Sequence, residues 1–210
     1  MNLKNNRKIF LVRHGRSIWN GQKIISGQLD PPLSDEGLNQ AQCLAEVLRG
    51  ENLSEIHTSS LSRTIETARP TANFHGLSIT EHDDLREINF GVLQGRFRDE
   101  RDLEAKEMWA QREIDKEKFR IPNGETFSEL EARIDRILPK ILEKNETILI
   151  VGHRSANRMI LRRLMNWTSE TAVNLKLRSK YLYEISIAEN TAQINTIQIC
   201  GGAKFAGFKE

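Results

Sequence analysis

The stretch Ile9-Phe10-Leu11-Val12-Arg13-His14-Gly15 decides the fold and raises the question of function. Its first four residues are apolar, and such a run is typical of a strand buried in a core. A cation, a titratable ring and a flexible glycine follow at once. A core strand that ends in charge predicts a ligand site at its carboxyl end.

A second apolar run, residues 147–151, leads into Gly152-His153-Arg154. It ends in the same way as the first run, with a histidine just past a buried strand. A single histidine in such a position is more often a structural residue. Because ligands of open α/β sheets bind at the carboxyl ends of the strands, we expect His14 and His153 to face one crevice.

Strands alternate with helices along the whole chain. The patterns predict strands at 8–12, 54–58, 77–81, 147–151, 181–188 and 193–200, and helices at 35–49, 62–74, 125–144 and 155–165, with Ser34 as a helix N-cap and a turn at Glu189-Asn190. This order predicts an α/β fold: a three-layer sandwich with a mainly parallel central sheet and helices on both faces, the last two strands adding an antiparallel edge.

The domain organisation follows from length and composition. The 210 residues are predicted to form a single domain, 1–210. Within it, the charged segment at about 96–125 is predicted to be a helical lid insertion, and about 201–210 a loose C-terminal tail. The alternative is that the two phenylalanines of the tail, Phe205 and Phe208, dock on the core or on a neighbour.

Charge and cysteine usage limit the class of protein. A net charge of +2 is too mild to indicate nucleic-acid binding, and no apolar stretch reaches membrane-spanning length. The polar opening residues 1–6 lack the core of a signal peptide. We therefore expect a cytoplasmic protein in which Cys43 and Cys200 are reduced, mostly buried thiols.

A further arginine extends the histidine pair into a phosphate-binding constellation. Arg63 stands where a predicted strand passes into a helix, with Ser59, Ser60 and Ser62 available as caps or ligands. Arginine forks match phosphate oxygens, and helix N-termini add N–H donors. No Gly-rich P-loop is present in the sequence. Together with Arg13, His14 and His153, Arg63 favours binding of a phosphoryl group.

One of the histidines is then a candidate nucleophile. A nucleophilic imidazole must be neutral, and neighbouring arginines lower its pKa by repulsion between like charges. Cleavage of a phosphate ester also needs a proton donor for the leaving alkoxide. Glu87 is a candidate, although spacing alone leaves it as one of several acids in the loop 83–95.

Five blocks in order resemble the histidine phosphatase superfamily, also called phosphoglycerate-mutase-like. The blocks are Leu11-Val12-Arg13-His14-Gly15 with Trp19-Asn20; residues 27–37 with Gln40-Ala41; Ser59-Ser60-Leu61-Ser62-Arg63 with Thr67-Ala68; Leu85-Arg86-Glu87 with Gly91 and Gly95; and Val151-Gly152-His153. They span nearly the whole chain. A lone Arg-His-Gly would be a weak signal, whereas five blocks in the right order are a specific one.

The resemblance implies roles for individual residues. His14 would be the nucleophile that becomes phosphohistidine, and Glu87 the proton donor and then the base. The phosphate would be bound by Arg13, Arg63 and His153, with a hydrogen bond from Asn20. Ser26, Gly27 and Arg154 are further candidates for substrate binding. The family needs no metal or cofactor, and His82-Asp83-Asp84, the nearest approach to a metal cluster here, does not favour one.

The chain departs from the family at two positions. Many relatives have an acidic residue in place of Arg16 and a glycine in place of Arg154. The two arginines either suit a substrate with a second anionic group or point to solvent. The many cations between 96 and 120 alternate with acids, as on a solvated helix face, and none is assigned to substrate. Phe97, Met108 and Trp109 either close over the pocket or pack the lid on the core.

Residues 87–91 and 121–126 resemble the phosphatase branch. The leading interpretation is a metal-independent, histidine acid-type phosphatase, a phosphoric monoester hydrolase, acting on a small phosphorylated metabolite. The alternatives are a phosphoglycerate mutase, a phosphoprotein phosphatase and a catalytically silent phosphate-binding protein. A small-molecule substrate is the expected partner, with no nucleic acid and no membrane. The sequence does not indicate the oligomeric state.

Overall fold

The computed structural model describes residues 7–144, 146–188 and 191–210, which form a mixed seven-stranded sheet with six α-helices. The strands are β1 Arg7–Arg13, β2 Glu55–Ser59, β3 Ile79–His82, β4 Ile148–Gly152, β5 Tyr181–Ala188, β6 Thr191–Gln198 and β7 Lys204–Ala206. The helices are α1 Asp35–Leu48, α2 Ser62–His75, α3 Leu103–Ile114, α4 Phe127–Ile141, α5 Arg154–Met165 and α6 Ser169–Asn174. No helix in the described ranges has the length and apolar character that crossing a bilayer requires.

The sheet has the order β3-β2-β4-β1-β5-β6-β7. The first four strands are parallel, and each remaining pairing, beginning with β1 against β5, is antiparallel. The prediction of a mainly parallel sheet is therefore wrong. The successive strands β5, β6 and β7 lack helices between them and pair antiparallel, and β5 also runs antiparallel to β1. The sequence pattern did not reveal β7. The predicted turn at Glu189-Asn190 lies outside the described residues.

Alternation along the central strands places core on both faces of the sheet. Ile9 and Leu11 of β1 pack with α4 and α5 on one face, and Phe10 and Val12 pack with α1 and α2 on the other. All four side chains are fully buried. This explains why the strand sequence is continuously apolar, and it confirms the predicted helices on both faces.

Local capping sets the helix boundaries close to those predicted. Ser34 caps α1, its Oγ accepting a hydrogen bond from Gly37 N at 3.2 Å. Thr126 and Glu129 form a capping box at the start of α4. The helix α6 was not predicted.

The C-terminal residues correct the expectation of a loose tail. Beyond β7, the Phe208 ring stacks on Tyr183 with centroids 5.0 Å apart and also contacts Trp167 edge-on. The Tyr183 hydroxyl donates to Lys209 O at 3.1 Å. Aromatic packing and sheet pairing together hold this segment on the domain.

The cysteines also differ from expectation. Cys43 and Cys200 are joined in a disulfide, with Cα atoms 5.1 Å apart, and both side chains are half-buried. The prediction of two reduced, mostly buried thiols is wrong. The reason is tertiary: Ile197 and Ile199 pack in the same core cluster as Leu44 of α1, which brings the end of β6 beside that helix.

Candidate active site

The ends of β1 and β4 bring the two predicted histidines together. Arg13 is paired with Gly152 in the parallel register, so His14 and His153 leave the sheet side by side. Their ring centroids are 5.1 Å apart. A cavity of about 510 Å³ opens at this edge of the sheet, and its lining includes Arg13, His14, Arg63 and Glu87.

The protonation of His14 follows from its contacts. Its Nδ1 lies 2.7 Å from Gly15 O. A carbonyl oxygen only accepts, so Nδ1 carries the proton and Nε2 carries the lone pair. Burial, and then the charges of Arg13 and Arg63, lower the pKa of His14 well below its usual range. The imidazole is therefore neutral and has the tautomer that a nucleophile acting through Nε2 requires.

Close packing fixes the loop that carries His14. A Cβ on Gly15 would lie 2.6 Å from Gly37 O, so glycine is required where the start of α1 meets this loop. Gly15 N donates to Thr67 Oγ1 at 2.9 Å, and His14 N donates to Gly152 O at 2.9 Å. These contacts tie the loop to α2 and β4.

His153 is fully buried beneath the cavity lining. Arg63 Nη2 lies 3.2 Å from Nδ1 of His153 and can only donate, so this nitrogen is the acceptor. The other nitrogen, Nε2, then donates to Ser59 Oγ at 2.7 Å. Burial, followed by the charge of Arg63, lowers the pKa of His153 well below its usual range. In this structure, His153 contacts the phosphate-binding candidate Arg63 rather than the cavity itself.

Arg63 is held in place from several directions although its side chain is only 1% exposed. Nη1 donates to Leu29 O at 2.7 Å and to Asp30 Oδ1 at 3.1 Å, and Nη2 donates to Gly27 O at 2.8 Å. Asp30 also accepts from Ser62 N at 2.6 Å, at the start of α2. This role of Asp30 was not predicted, because the sequence around a loop aspartate does not indicate a hydrogen-bond partner 33 residues away.

Arg13 supplies a second cation at the tip of β1. Its Nε is buried and has no hydrogen-bond partner among the described residues. Burial and the nearby Arg154 lower the pKa of Arg13 to about 9, so the group stays charged at neutral pH. A buried, unpartnered donor of this kind is satisfied when an anion binds.

Glu87 lies on the same cavity, held by backbone donors. Its Oε1 accepts from Ile88 N at 2.9 Å and from Ser155 N at 3.0 Å, the latter at the first turn of α5. Its own carbonyl oxygen accepts from Gln28 Nε2 at 3.1 Å and Arg133 Nη2 at 3.0 Å. The structure thus singles out Glu87 from the other acids of its loop.

The remaining candidates divide into two groups. Asn20, Ser26, Gly27 and Arg154 line the cavity. Asn20 also accepts from Ser17 N at 3.0 Å through Oδ1, which fixes its loop. Ser60 and Ser62 bind protein groups instead: Ser60 contacts Asp83 and Arg86, and Ser62 N binds Asp30. Arg16 lines the exposed rim of the cavity and pairs there with Glu36 at 2.9 Å.

The segment 96–125 corrects one interpretation. Arg98 and Arg112 were assigned to a solvated helix face, yet both line the cavity. Met108 and Trp109 pack against the core, which turns Arg112 inward. The cationic lining residues number nine against three carboxylates, Glu36, Glu87 and Glu113; they are Arg13, Arg16, Arg63, Arg98, Arg112, Arg154, Arg158, Arg178 and Lys180.

The His82-Asp83-Asp84 stretch does not form a metal site in the part of the chain that the structure describes, where no three potential ligands converge. His82 Nε2 lies 3.0 Å from His57 Nδ1, and His57 Nε2 lies 3.2 Å from Glu55. These contacts lie at the β2–β3 edge of the sheet.

Known proteins resemble this chain in sequence and in fold. The family model of the histidine phosphatase superfamily (branch 1) matches residues 9–199. A Yersinia pestis protein named "Probable phosphoglycerate mutase GpmB" is 34% identical over 186 residues, 87% of this chain and 86% of that one. The alpha-ribazole phosphatase from Shigella flexneri superposes with a TM-score of 0.79 and 25% identity, over 97% of this chain and 100% of that one. A mycobacterial glucosyl-3-phosphoglycerate phosphatase shares the fold, with a TM-score of 0.76 and 22% identity over 86% of this chain and 90% of that one.

The α/β fold, shared over nearly the whole chain with a solved phosphatase, defines the class as histidine-phosphatase-like. The chain belongs to branch 1 of the histidine phosphatase superfamily. The relatives at 25% identity or more are named as a phosphatase and a probable mutase, and phosphoryl transfer is the activity that these comparisons support.

Proposed function

We propose that this protein is a phosphatase that hydrolyses a small phosphomonoester through a phosphohistidine on His14, with Glu87 as proton donor and no metal. One observation carries the proposal. Nδ1 of the neutral His14 ring donates to Gly15 O, which leaves the Nε2 lone pair available in a cavity that Arg13 and Arg63 also line.

The first half-reaction transfers the phosphoryl group to the protein. His14 Nε2 attacks phosphorus, the Nε2–P bond forms and the ester P–O bond breaks. Glu87 enters the step protonated and gives its proton to the leaving alkoxide, so the alcohol leaves neutral. The guanidinium groups of Arg13 and Arg63 stabilise the charge that spreads over the equatorial oxygens.

The second half-reaction returns the protein to its starting state. Glu87, now ionised, accepts a proton from water as the water oxygen attacks phosphorus. The Nε2–P bond breaks, inorganic phosphate forms, and His14 is again neutral with its proton on Nδ1. Throughout, Gly15 O holds the ring orientation by accepting from Nδ1.

A mutase is the second candidate, and the relative named as a phosphoglycerate mutase favours it. A mutase would use the same first step and return the phosphoryl group to an acceptor hydroxyl instead of water. Incubation with 2,3-bisphosphoglycerate and 3-phosphoglycerate separates the two: a mutase forms 2-phosphoglycerate, whereas a phosphatase releases inorganic phosphate.

A silent phosphate-binding protein is the third candidate. Binding a phosphate requires cations such as Arg13 and Arg63, but it does not require a lone-pair nitrogen and a carboxyl group on the same cavity. The presence of both His14 and Glu87 there favours catalysis.

The test is phosphate release from a panel of sugar phosphates, phosphoglycerates, nucleoside monophosphates and phosphoamino acids, with a chelator present throughout. The proposal predicts turnover by the wild type and at least about a thousandfold loss in His14→Ala, since the nucleophile is removed. Arg163→Gln, far from the cavity in an ion pair with Asp135, is the control. Activity that survived in His14→Ala, or that chelation abolished, would overturn the mechanism.

A further inference from the structure

We propose that Arg112, Arg154 and Arg158 form a second anion-binding subsite beside the phosphate pocket, and that the substrate is a phosphomonoester carrying a second anionic group. The inference rests on the proposed function, since it names the substrate class of the same cavity. The second group is a carboxylate or a phosphate, because both present oxygens that guanidinium groups bind.

Arg112 is the clearest sign of this subsite. It projects from α3 into the cavity and is only 4% exposed. Aromatic rings surround its guanidinium: Phe90, Trp109 and Phe127 lie 5.0, 5.2 and 5.4 Å from it. Nη1 donates to Glu113 at 3.1 Å, whereas Nη2 is buried and has no hydrogen-bond partner among the described residues. A buried, charged N–H group without an acceptor is unfavourable, so Nη2 of Arg112 can bind one oxygen of an anion.

Arg158 and Arg154 carry further positive charge on the same lining. Nε and Nη2 of Arg158 both donate to Leu175 O, at 2.8 and 2.6 Å, which fixes the group without neutralising it. Nε of Arg154 is buried and lacks a hydrogen-bond partner within the described part of the chain. The charge of Arg154 lowers the pKa of both Arg13 and Arg158, and all three line the same cavity.

Several arginines outside the cavity are neutralised by carboxylates. Arg96 donates to Asp102 at 2.7 Å, Arg133 to Glu125 at 2.7 Å and Arg163 to Asp135 at 2.7 Å. Within the described residues, Arg112 has one carboxylate partner, Glu113, and neither Arg154 nor Arg158 forms an ion pair. Since burying cations of like sign costs free energy, their concentration on one cavity points to a ligand that supplies the missing negative charge.

The cavity is suited to a small molecule with two charged ends. Its volume of about 510 Å³ is within the range of small-ligand sites. Ile24, Phe90 and Trp109 also line it and offer apolar surface to a carbon skeleton. Phe90 and Trp109 pack edge to face, with ring centroids 5.1 Å apart.

The test compares three phosphomonoesters of similar size: glycerol phosphate, phosphoglycerate and a glycerol bisphosphate. Their far ends are neutral, a carboxylate and a phosphate. The wild type should favour one or both of the bis-anionic compounds by at least about tenfold in kcat/KM, and the preferred compound identifies the second group. Arg112→Gln should reduce the ratio of kcat/KM between bis-anionic and neutral-ended compounds to about one. The change should appear mainly in KM, because the lost contact stabilises the bound substrate and the transition state alike.

Arg163→Gln, on the outer side of the same helix as Arg154 and Arg158, is the matched control and should keep the wild-type ratio. If Arg112→Gln does not fold, Arg154→Gln provides the same test, because Arg154 is only half-buried and its substitution should disturb packing less. Equal kcat/KM for neutral and bis-anionic compounds in the wild type, or an unchanged ratio in both cavity variants, would overturn the subsite.

Failure of the proposed function is a separate outcome. It would show as no phosphate release from any compound by the wild type. Calorimetric binding of glycerol phosphate and phosphoglycerate then decides the subsite by itself. Tighter binding of phosphoglycerate in the wild type but not in Arg112→Gln would support it, and equal affinity of the two compounds for the wild type would overturn it.

Discussion

Arg63 donates from Nη2 to Nδ1 of His153 over 3.2 Å, and this contact fixes the proton of His153 on Nε2, where Ser59 accepts it. The buried, neutral ring of His153 therefore orients Arg63, which lines the cavity. The hydrogen bonds from Arg63 to His153 and from His153 to Ser59 form a chain that connects the cavity to the sheet.

This chain predicts the effect of Ser59→Ala. Loss of Oγ leaves the Nε2–H of His153 without its acceptor in a fully buried position, which should cost about 1–3 kcal/mol of unfolding free energy. Phosphate should also bind more weakly, because Arg63 loses its fixed neighbour. Urea denaturation and inhibition by inorganic phosphate measure the two effects. Ser60→Ala is the matched control, since Ser60 bonds to Asp83 and Arg86 instead. Equal effects of the two substitutions would contradict this account.

Asp30 should control how Arg63 is presented to the ligand. Asp30→Asn keeps one oxygen that can accept from Ser62 N at the start of α2, but it removes the charge and the second acceptor beside Nη1 of Arg63, 3.1 Å away. We expect near wild-type stability and about tenfold weaker inhibition by phosphate, about 1.4 kcal/mol. Asp30→Ala also leaves Ser62 N without this acceptor and should be about 1 kcal/mol less stable than Asp30→Asn. Inhibition by phosphate that is as strong in Asp30→Asn as in the wild type would rule out this positioning role.

Acid should destabilise the fold from about pH 6.5 downward, the ordinary pKa of histidine. Burial lowers the pKa of His14 and of His153 in the folded protein, so the unfolded chain binds more protons below that pH. Stability must then fall as pH falls, by up to about 1.4 kcal/mol per pH unit for each histidine. His57 and His82, whose pKa values burial also lowers, add in the same direction.

Urea denaturation of the wild type and His14→Asn at pH 7.5 and pH 5 tests this. The loss of stability between the two pH values should be smaller in the variant, since one of the groups is gone. An identical loss in both proteins would show that His14 does not remain neutral in the folded state.

The Cys43–Cys200 disulfide closes a long loop, with a sequence separation of 157. Its removal in the double variant Cys43→Ser/Cys200→Ser should lower the unfolding free energy by about 2–5 kcal/mol. Reductant should have a similar effect on the wild type and none on the double variant. A wild type whose denaturation midpoint is the same with and without reductant would contradict this prediction.

Sequence patterns predicted most of the elements and the two histidines that the structure brings together, because those signals are local. A continuous apolar run gave β1 and β4, Ser34 gave the start of α1, and the residues just past each strand gave His14 and His153. The sheet's antiparallel half was underestimated because β7 is only three residues long.

Features that depend on tertiary packing were not predictable in the same way. The alternating charges of α3 do not show that Trp109 anchors the helix and turns Arg112 toward the cavity. The contact between Asp30 and Arg63 joins a loop to a helix, and the Cys43–Cys200 bond joins a helix to the end of a strand. Neither contact leaves a periodic trace in the sequence.

The most direct test of the central claim is to mix the wild type rapidly with its best substrate, labelled in the phosphoryl group, and to quench in base within milliseconds. The mechanism predicts protein-bound phosphate that is stable to base, labile to acid and located on His14 by mass spectrometry, and none in His14→Ala. Turnover of the wild type with no phosphate trapped on His14, or with the label on another residue, would contradict the account.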